Sequence, residues 1–450
     1  MTKVAIISLG CARNDVDSEE LAAKLKADGL ILEKDPEKAD AVLVNTCGFI
    51  EQAKKDSIDT LLEASELKNS SGVKAVVAVG CMAERYGAEL EQALPEADAI
   101  LGFDDYPLIA QKVMRILNGE KLAAPVVQDR RLLLPVTPVD RKQAAKFSHR
   151  TRLENGPSSP LKIASGCDRR CTFCAIPRFR GSYISRSIEE IVDEAHWLAS
   201  EGVKEVFLVS ENTTSYGKDL GDLRSLEKLI EELAKINDLD WIRLSYLQPA
   251  EMRPSLTKSI LETEKVVPYF DLSFQHASNS LLRRMKRFGS KDEFLSMISE
   301  IRTANPAAGI RSNFIVGFVQ ESESEFEELM SFIELAELDS IGIFEYANED
   351  NTAAFDYEGQ ISSGEKRQRF NELKSLAEEL IDQRAASRVG EQTQVLIEGL
   401  EDGQYFGRSR HQGPDVDGTT HLPMGKYKVG QLVNISVTSN LGADLIGEEL

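Results

Sequence analysis

The sequence has little positive charge. Its 53 Lys and Arg residues stand against 74 Asp and Glu residues, which gives a formal net charge of -21 over 450 residues. Loose binding to a phosphate backbone requires a surplus of Lys and Arg, so this balance argues against a nonspecific nucleic-acid binder. A basic protein is a more suitable partner for such a chain.

The sequence also lacks any apolar run of about 18 residues, the length of a membrane-spanning helix, and its apolar start at residues 4–9 has only a strand's length. Neither a membrane span nor a secretory signal is predicted, and the expected location is the cytosol. Cysteine is scarce, with six in the chain. Because cytosolic thiols stay reduced, metal binding or catalysis is the leading explanation for these six.

Residues 1–118 predict an α/β domain with a parallel sheet. Apolar runs at residues 4–8, 41–44 and 75–79 alternate with helical patterns. Unbroken apolar strands are typical of a sheet covered by helices on both faces, where ligands bind beyond the carboxyl ends of the strands. Cys11, Cys47 and Cys81 each lie just past one of these three runs.

Residues 119–160 contain prolines and a basic pair without periodicity, which predicts a linker leading into the next domain. The residues concerned are Pro125, Pro135, Pro138, Arg141 and Lys142.

Residues 161–386 predict a partial (βα)6 barrel closed by a long helix at residues 364–388. Such a barrel would carry its chemistry at the carboxyl ends of the strands. The six strand candidates are residues 161–164, 205–209, 241–246, 269–274, 310–316 and 340–346.

Residues 387–450 predict a small antiparallel β-barrel of the OB type, because β-rich runs alternate there with glycines. The runs are residues 393–398, 405–408 and 432–438.

Cys167, Cys171 and Cys174 form a C-x3-C-x2-C run directly after the first strand of the predicted barrel. Thiolates select zinc, copper(I) or iron-sulfur clusters, and a 4Fe-4S cluster held by three cysteines leaves one iron open. S-adenosylmethionine can chelate that iron, and one electron then yields a deoxyadenosyl radical. The alternatives are unrelated buried cysteines or a zinc site completed by His149 or His276, although no second C-x2-C pair is present.

Cys11, Cys47 and Cys81 are weaker signals, because their spacing matches no metal motif and free cysteine is often simply buried. Their shared position after three strands would bring them to one edge of the sheet, where they could bind a second cluster with one open iron. Ordinary core cysteines remain the alternative.

With these motifs the chain resembles the methylthiotransferases of the radical SAM superfamily over nearly its whole length. The resemblance rests on GCARNDVDSE at residues 10–19, NTCGFI at 45–50, GCMAERY at 80–86 and the segment from IASGC to CAIP at 163–177. TTSYG at 213–217 and GPDVDG at 413–418 resemble the branch that methylthiolates an aspartate of small-subunit ribosomal protein S-twelve, rather than the tRNA-modifying branch.

The resemblance implies two 4Fe-4S clusters and S-adenosylmethionine as cofactors. The cluster at Cys167, Cys171 and Cys174 would bind S-adenosylmethionine and generate the radical, which abstracts a hydrogen from the aspartate β-carbon. The cluster at the other three cysteines would hold a sulfide that a second S-adenosylmethionine methylates. An electron donor and a sulfur source are further partners that this reaction requires, besides S-twelve itself, free or in the small subunit.

The resemblance also identifies residues 387–450 as a TRAM module, which in the tRNA branch would contact RNA. Here residues 389–450 contain four Lys and Arg against nine Asp and Glu, so direct contact with RNA is not expected. Two alternatives remain: methylthiolation of a tRNA adenosine, and a zinc-stabilised binding scaffold without catalytic activity.

Phe173, Glu211 and Gly317 are the predicted contacts to S-adenosylmethionine besides the cysteines. Phe173 could stack on adenine, with ordinary packing as the alternative. Gly317 lies in a segment that matches the family, with a simple turn as the alternative. Glu211 is carried over from the family although its own segment departs from the pattern, and a surface loop is the alternative there. Two departures from the family pattern occur. Glu211-Asn212 stands where the family usually has Gln followed by Asp, and Val319-Gln320 stands where it usually has Pro-Gly. No catalytic acid or base is assigned.

Overall fold

The computed structural model describes residues 1–132, 150–423 and 425–450, in two compact units. The first unit comprises Met1–Asn155, Ser165–Arg169 and Ala175–Ile184; the second comprises Gly156–Ala164, Arg170–Cys174 and Ser185–Leu450. The domain boundaries at residues 118, 160 and 386 stay predictions. In the described parts of the chain, no helix combines the length and the apolar character needed to cross a bilayer. Outside the described residues lie Pro135, Pro138, Arg141 and Lys142 of the predicted linker, and His149.

The first unit is built on a five-stranded parallel sheet with the order β2-β1-β3-β4-β5. The strands are β1 (Lys3–Ser8), β2 (Ile31–Leu32), β3 (Ala41–Thr46), β4 (Ala75–Gly80) and β5 (Ala99–Ile100). The helices are α1 (Ala12–Ala27), α2 (Glu51–Ser70), α3 (Cys81–Ala93) and α4 (Ile109–Leu117). The parallel α/β fold predicted for this part of the chain is confirmed.

The two central strands, β3 and β4, are buried at every residue, as expected when helices cover both faces of a sheet. The register pairs Ser8 with Asn45 and Thr46 with Gly80. The carboxyl ends of β1, β3 and β4 therefore lie side by side.

The second unit contains six parallel strands in two groups of three, β6-β9-β10 and β11-β12-β13. A parallel bridge between Leu247 and Leu272 joins the two groups into one arc. The predicted partial barrel is confirmed. The six strands are β6 (Ser158–Lys162), β9 (Glu205–Val209), β10 (Trp241–Leu244), β11 (Tyr269–Asp271), β12 (Gly309–Val316) and β13 (Ser340–Glu345). Two-residue strands are β7 (Ala164–Ser165) and β8 (Ile184–Ser185).

Helices connect these strands, and several begin at a serine that caps the first turn. Ser187 and Ser322 each form a reciprocal capping box with a glutamate three residues on. The predicted long helix is α12, whose N-cap Ser362 accepts a hydrogen bond from the backbone of Glu365 at 3.2 Å. The helices from residue 176 onward are α5 (Ile176–Arg180), α6 (Ile188–Ser200), α7 (Ser225–Ala234), α8 (Pro254–Glu262), α9 (Asn279–Arg284), α10 (Lys291–Ala304), α11 (Glu323–Ala336) and α12 (Ser363–Ser387).

The last part of the chain forms a closed five-stranded barrel with the order β14-β15-β16-β18-β17. The predicted small antiparallel barrel is confirmed, with one parallel pairing, that of β16 with β18. An odd number of strands cannot alternate in direction all the way around a closed barrel, so one parallel pair is unavoidable. The strands are β14 (Gln392–Glu401), β15 (Gln404–Ser409), β16 (Thr420–Leu422), β17 (Leu432–Leu441) and β18 (Asp444–Glu449).

Candidate metal centres

Cys11, Cys47 and Cys81, called here the sheet-edge trio, all lie in the first unit at the carboxyl edge of its sheet. Cys11 is the N-cap of α1, Cys47 directly follows β3, and Cys81 is the first residue of α3. Cys47 and Cys81 are buried, and Cys11 is partly exposed. Two of the three thus lie at helix N-termini, whose backbone N–H groups and dipole favour a negatively charged sulfur.

The buried amide of Asn14 connects the loops that carry these cysteines. Its Nδ2 donates hydrogen bonds to the carbonyl oxygens of Leu9 at 2.9 Å and Thr46 at 3.2 Å. Its Oδ1 lies 3.4 Å from the Sγ of Cys81. One side chain therefore contacts the segments next to Cys11 and Cys47, and Cys81 itself.

Two glycines allow these loops to approach each other closely. Gly10 has a φ of +100°, and a Cβ there would lie 2.8 Å from the Cβ and 3.1 Å from the Sγ of Cys47. Gly80 has a φ of +91°, and its Cβ would lie 2.1 Å from the Oδ1 of Asn45. A side chain at either position would push the loops apart, so the glycines keep Cys11 and Cys81 beside Cys47.

A buried arginine also faces this edge. The Nη2 of Arg180 lies 3.0 Å from the Sγ of Cys81 and 2.9 Å from the Oδ1 of Asn14. Its Nη1 donates to the Oδ2 of Asp17 at 2.7 Å, and its guanidinium lies 4.7 Å from the ring centroid of Phe103. The site thus combines three soft sulfur donors with one buried positive charge.

Burial is the largest influence on the pKa of the two buried thiols. It raises the pKa of Cys81 to about 12, although the Arg180 guanidinium acts in the opposite direction. Burial also raises the pKa of Cys47. A metal that binds here must therefore displace protons, as thiolate ligation generally does.

The sheet-edge trio offers soft sulfur donors of the kind that an iron-sulfur cluster takes. Among the described residues, no group of three or more His, Cys, Asp or Glu side chains is arranged to hold a metal ion. A 4Fe-4S cluster binds each cysteine through a different iron and so spaces its ligands more widely. Three thiols at one sheet edge supply the donor set that such a cluster requires.

Cys167, Cys171 and Cys174, called here the motif trio, are all partly exposed. Cys167 belongs to the first unit, where its backbone N–H donates to the carbonyl of Gly181 at 3.1 Å. Cys171 and Cys174 belong to the second unit and form a tight turn, in which the N–H of Cys174 donates to the carbonyl of Cys171 at 3.2 Å.

Thr172 anchors that turn within the second unit. Its backbone N–H donates to the carbonyl of Met285 at 3.1 Å, and its Oγ1 donates to the carbonyl of Arg284 at 2.9 Å. The same loop supplies Arg287, whose Nη1 lies 3.8 Å from the Sγ of Cys171 and whose Nη2 donates to the carbonyl of Ser273. This arginine is buried, so its charge stays close to the cysteine.

The three other predicted site residues all lie beyond or beside barrel elements of the second unit. Phe173 is partly buried against a hydrophobic cluster that includes Met285 and Phe318. Glu211 is partly exposed in the loop after β9. Gly317 follows β12 with a φ of +73°, and a Cβ there would lie 2.5 Å from the Cγ of Lys366. That close approach accounts for the glycine, and contacts of these residues to S-adenosylmethionine stay predictions.

The first departure from the family pattern has an electrostatic explanation in the second unit. Asn212 is buried, and its Nδ2 donates to the Oε2 of Glu251 at 3.1 Å and to the Oγ of Ser215 at 2.8 Å. An aspartate at position 212 would place a second carboxylate beside that of Glu251 and would lose the Nδ2 donor. The amide therefore suits this position better than the acid.

The second departure preserves the backbone turn. Gln320 has a φ of +58°, the left-handed conformation that glycine adopts without strain. Its backbone N–H donates to the carbonyl of Gly359 at 3.0 Å, and its Nε2 donates to the carbonyl of Glu358 at 3.0 Å. These bonds hold a glutamine in a conformation that a side chain ordinarily disfavours.

His276 offers no nitrogen to a metal. Its Nδ1 accepts a hydrogen bond from the backbone of Ser278 at 3.0 Å, and its Nε2 lies 3.1 Å from the Oε1 of Glu321. An accepting Nδ1 implies that Nε2 carries the proton and donates to the glutamate. The zinc alternative receives no support from this histidine.

Sequence reasoning missed the roles of Asn14 and Arg180. Asn14 was recognised only as part of the GCARN segment, and Arg180 was not singled out at all. Two arginines, Arg178 and Arg180, stand in the otherwise apolar stretch just after the C-x3-C-x2-C run, and the sequence does not distinguish between them.

Three family models match the chain. They are the Uncharacterized protein family UPF0004 at residues 3–102, the Radical SAM superfamily at residues 161–333 and the TRAM domain at residues 389–449. The chain is 53% identical over 467 residues to the ribosomal protein uS12 methylthiotransferase RimO of Cutibacterium acnes, covering 98% of this chain and 97% of that protein. It is also 53% identical over 463 residues to the protein of the same name from Nocardioides sp., covering 99% and 96%.

The fold is similar to that of TsrM from Kitasatospora setae, a radical S-adenosylmethionine methyltransferase solved with cobalamin and a 4Fe-4S cluster. The TM-score is 0.55 at 14% identity, covering 77% of this chain and 75% of that one. At this identity the likeness concerns the fold alone.

Proposed function

Because the chain belongs to the family of ribosomal protein uS12 methylthiotransferases, we propose that it adds a methylthio group to the β-carbon of an aspartate in ribosomal protein uS12. The chain is a radical SAM methylthiotransferase, and its family and its radical SAM domain imply S-adenosylmethionine and 4Fe-4S clusters as cofactors. The observation that carries the proposal is the gathering of Cys11, Cys47 and Cys81 at one sheet edge, in a chain that also has a C-x3-C-x2-C run.

Each trio has a proposed role. The motif trio would bind the cluster that chelates S-adenosylmethionine, and the sheet-edge trio would bind the cluster that carries the sulfur. When bound, these groups supply one-electron cleavage of S-adenosylmethionine and a methylated sulfur for transfer. Such chemistry suits the substrate, because the C–H bond of an aspartate β-carbon is not acidic enough for a general base at neutral pH.

The protein's own residues would hold the motif trio ready. Thr172 fixes the turn between Cys171 and Cys174 through two hydrogen bonds, and the buried Arg287 keeps a positive charge near Cys171. Phe173 packs in the adjoining hydrophobic cluster, which limits the access of water to that side of the turn.

A basic protein substrate is supported by the charges of the last barrel. Of its four cationic side chains, Arg408 is buried in ion pairs with Glu205 and Glu398, and Arg410 is partly buried and donates to the carbonyl of Val266. Lys426 and Lys428 carry the two remaining positive charges of residues 389–450. Nine acids lie in the same segment, of which Glu391, Glu398 and Asp417 are themselves in ion pairs. A cytoplasmic location suits the proposal, because thiolate ligands must stay reduced.

Mass spectrometry of ribosomal proteins from cells with and without this chain tests the proposal. We expect one methylthio addition on uS12 that disappears without the chain and does not return with a Cys171→Ala variant. The matched control is Ser200→Ala, an exposed helix residue, which should restore the modification. A methylthio group found on tRNA adenosine, with uS12 unchanged, would overturn the substrate assignment.

The reconstituted protein provides a second test. We expect about eight irons per chain from two 4Fe-4S clusters, and loss of S-adenosylmethionine cleavage in the Cys171→Ala variant while the other cluster remains. If cleavage survives, the two trios have been assigned in the wrong order. A colourless protein with stoichiometric zinc would instead support a binding scaffold.

A further inference from the structure

One buried positive charge lies at the sheet-edge trio. The Arg180 side chain is 3% exposed, and its partner Asp17 is 1% exposed, so water screens neither group. One edge of the guanidinium binds Asp17 through Nη1, and the other edge points Nη2 at the Sγ of Cys81, 3.0 Å away. The guanidinium is thus shared between one carboxylate and one sulfur.

The surroundings hold this arginine in a single orientation. Asn14 Oδ1 accepts from the same Nη2 at 2.9 Å, and the ring of Phe103 lies against the guanidinium plane at 4.7 Å. Because a guanidinium keeps its charge at all physiological pH values, the site retains one positive charge whether or not the thiols are ionised.

If Arg180 served only to form a structural ion pair with Asp17, its contact with the Sγ of Cys81 would have no role. Hydrogen bonds to the sulfur ligands and nearby net charge are known to set the reduction potential of iron-sulfur clusters. A positive charge beside the sulfur stabilises the form with one more electron and thereby raises the potential.

We propose that Arg180 is a positioning residue that orients the Sγ of Cys81 and raises the reduction potential of the cluster at the sheet-edge trio. This inference rests on the proposed function, because it requires that a cluster binds there. Asp17 has the opposite effect, because its carboxylate partly neutralises the charge of Arg180 and thereby lowers the reduction potential of that cluster.

The test isolates this cluster in a full-length background in which Cys167, Cys171 and Cys174 are all changed to Ala. Reconstituted protein is titrated with a chemical reductant, and the midpoint potential is read from the electron paramagnetic resonance signal. We expect Arg180→Met to shift the midpoint to a more negative value and Asp17→Asn to shift it to a more positive value. Arg180→Lys keeps the positive charge but reaches less far toward the Sγ of Cys81, so its midpoint should fall between those of Arg180→Met and the parent.

Arg130→Met is the matched control. Arg130 is also buried, lies 5.8 Å from the ring centroid of the same Phe103, and pairs with Glu84 and Asp104. Its loss should lower thermal stability without moving the midpoint. The opposite shifts of the Arg180 and Asp17 variants distinguish an electrostatic role from a structural one, since both variants break the same ion pair.

Each outcome separates the inference from the proposed function. If the background protein binds no cluster, the assignment of the sheet-edge trio fails. If it binds one and both variants leave the midpoint unchanged or shift it in the same direction, the role of Arg180 fails while the proposed function stands. If Arg180→Met does not fold, Asp17→Asn and Arg180→Lys decide the question alone.

Discussion

Glu205 and Arg243 form an ion pair with no solvent-exposed surface, at 2.7 Å between Oε1 and Nε. Arg408 of the last barrel pairs with the other oxygen of the same carboxylate. Glu205 is the first residue of β9, and Arg243 is in the neighbouring β10. One buried carboxylate therefore joins two barrel strands to the C-terminal barrel within the second unit.

Changing Glu205 to Gln should destabilise the protein strongly. The buried Arg243 would lose its counter-charge and Arg408 would keep only Glu398, and breaking a buried pair in this way costs about 3–5 kcal/mol. Urea unfolding followed by circular dichroism measures the change. The control is Glu232→Gln, whose exposed pair with Lys235 contributes less than about 1 kcal/mol. Equal losses in the two variants would contradict the role assigned to Glu205.

Acid should weaken the second unit. Burial alone would raise the pKa of Glu205, but Arg243 and Arg408 outweigh it and lower that pKa from 4.5 to about 2. Burial is likewise outweighed at Asp339, where Arg388 and Arg384 lower the pKa from 3.8 to about 2. Because these folded-state values lie below the unfolded ones, the stabilisation is complete above about pH 5 and is lost progressively down to about pH 2. The free energy of unfolding should decrease as the pH is lowered across this range. The decrease should be less steep in the Glu205→Gln variant.

Changing Gln320 to Gly should increase stability by about 1 kcal/mol, because glycine adopts the observed φ of +58° without strain. The loss of the Nε2 hydrogen bond to Glu358 will reduce this gain. Gln320→Ala is the control, since it loses the same bond but keeps the strain and should be less stable than the parent. Thermal unfolding of the parent and the two variants measures the difference. If the Gly variant is no more stable than the Ala variant, the backbone at position 320 is not strained.

Changing Asn212 to Asp should destabilise the second unit by about 1–3 kcal/mol at neutral pH, because it removes a buried donor and places a carboxylate opposite Glu251. Repulsion would raise the pKa of the new carboxyl, so the penalty should shrink as the pH falls. Adding Glu251→Gln should recover part of the loss, and a double-mutant cycle measures that coupling. Strictly additive effects would show that the two side chains do not interact.

Changing Asn14 to Ala should reduce cluster loading at the sheet-edge trio. Its amide bonds to the carbonyls of Leu9 and Thr46, and each buried partner left unpaired costs about 1–3 kcal/mol. We expect iron per chain to fall from about eight toward about four, while S-adenosylmethionine cleavage persists. Asn371→Ala, an exposed residue of α12, should leave the iron content unchanged. Full loading of the Asn14 variant would show that the loops hold together without this amide.

Much of the architecture could be predicted from local patterns. Unbroken apolar runs at β1, β3 and β4 indicated a doubly covered parallel sheet, and the succession of strands and helices indicated the partial barrel. In the last barrel the sequence pattern does not predict β16 and β18. The three residues of Thr420–Leu422 are too few, and the two apolar residues of Asp444–Glu449 are adjacent, so neither stretch shows alternation.

The sequence by itself determined which atoms are available for metal chemistry. Cys167, Cys171 and Cys174 lie within eight residues of one another, so their spacing alone implied a shared ligand set. The rule that parallel strands end at one edge was sufficient to predict that Cys11, Cys47 and Cys81 would meet.

Only the tertiary structure decided what surrounds those sulfurs. Arg180 reaches Asp17 and Asn14 across 163 and 166 residues of sequence, and Asn14 reaches Cys81 across 67. Periodicity reports which face of an element is buried, but it carries no information on which buried polar side chains become neighbours. That choice follows from the packing of distant elements, which places a charge beside a sulfur only once the chain has folded.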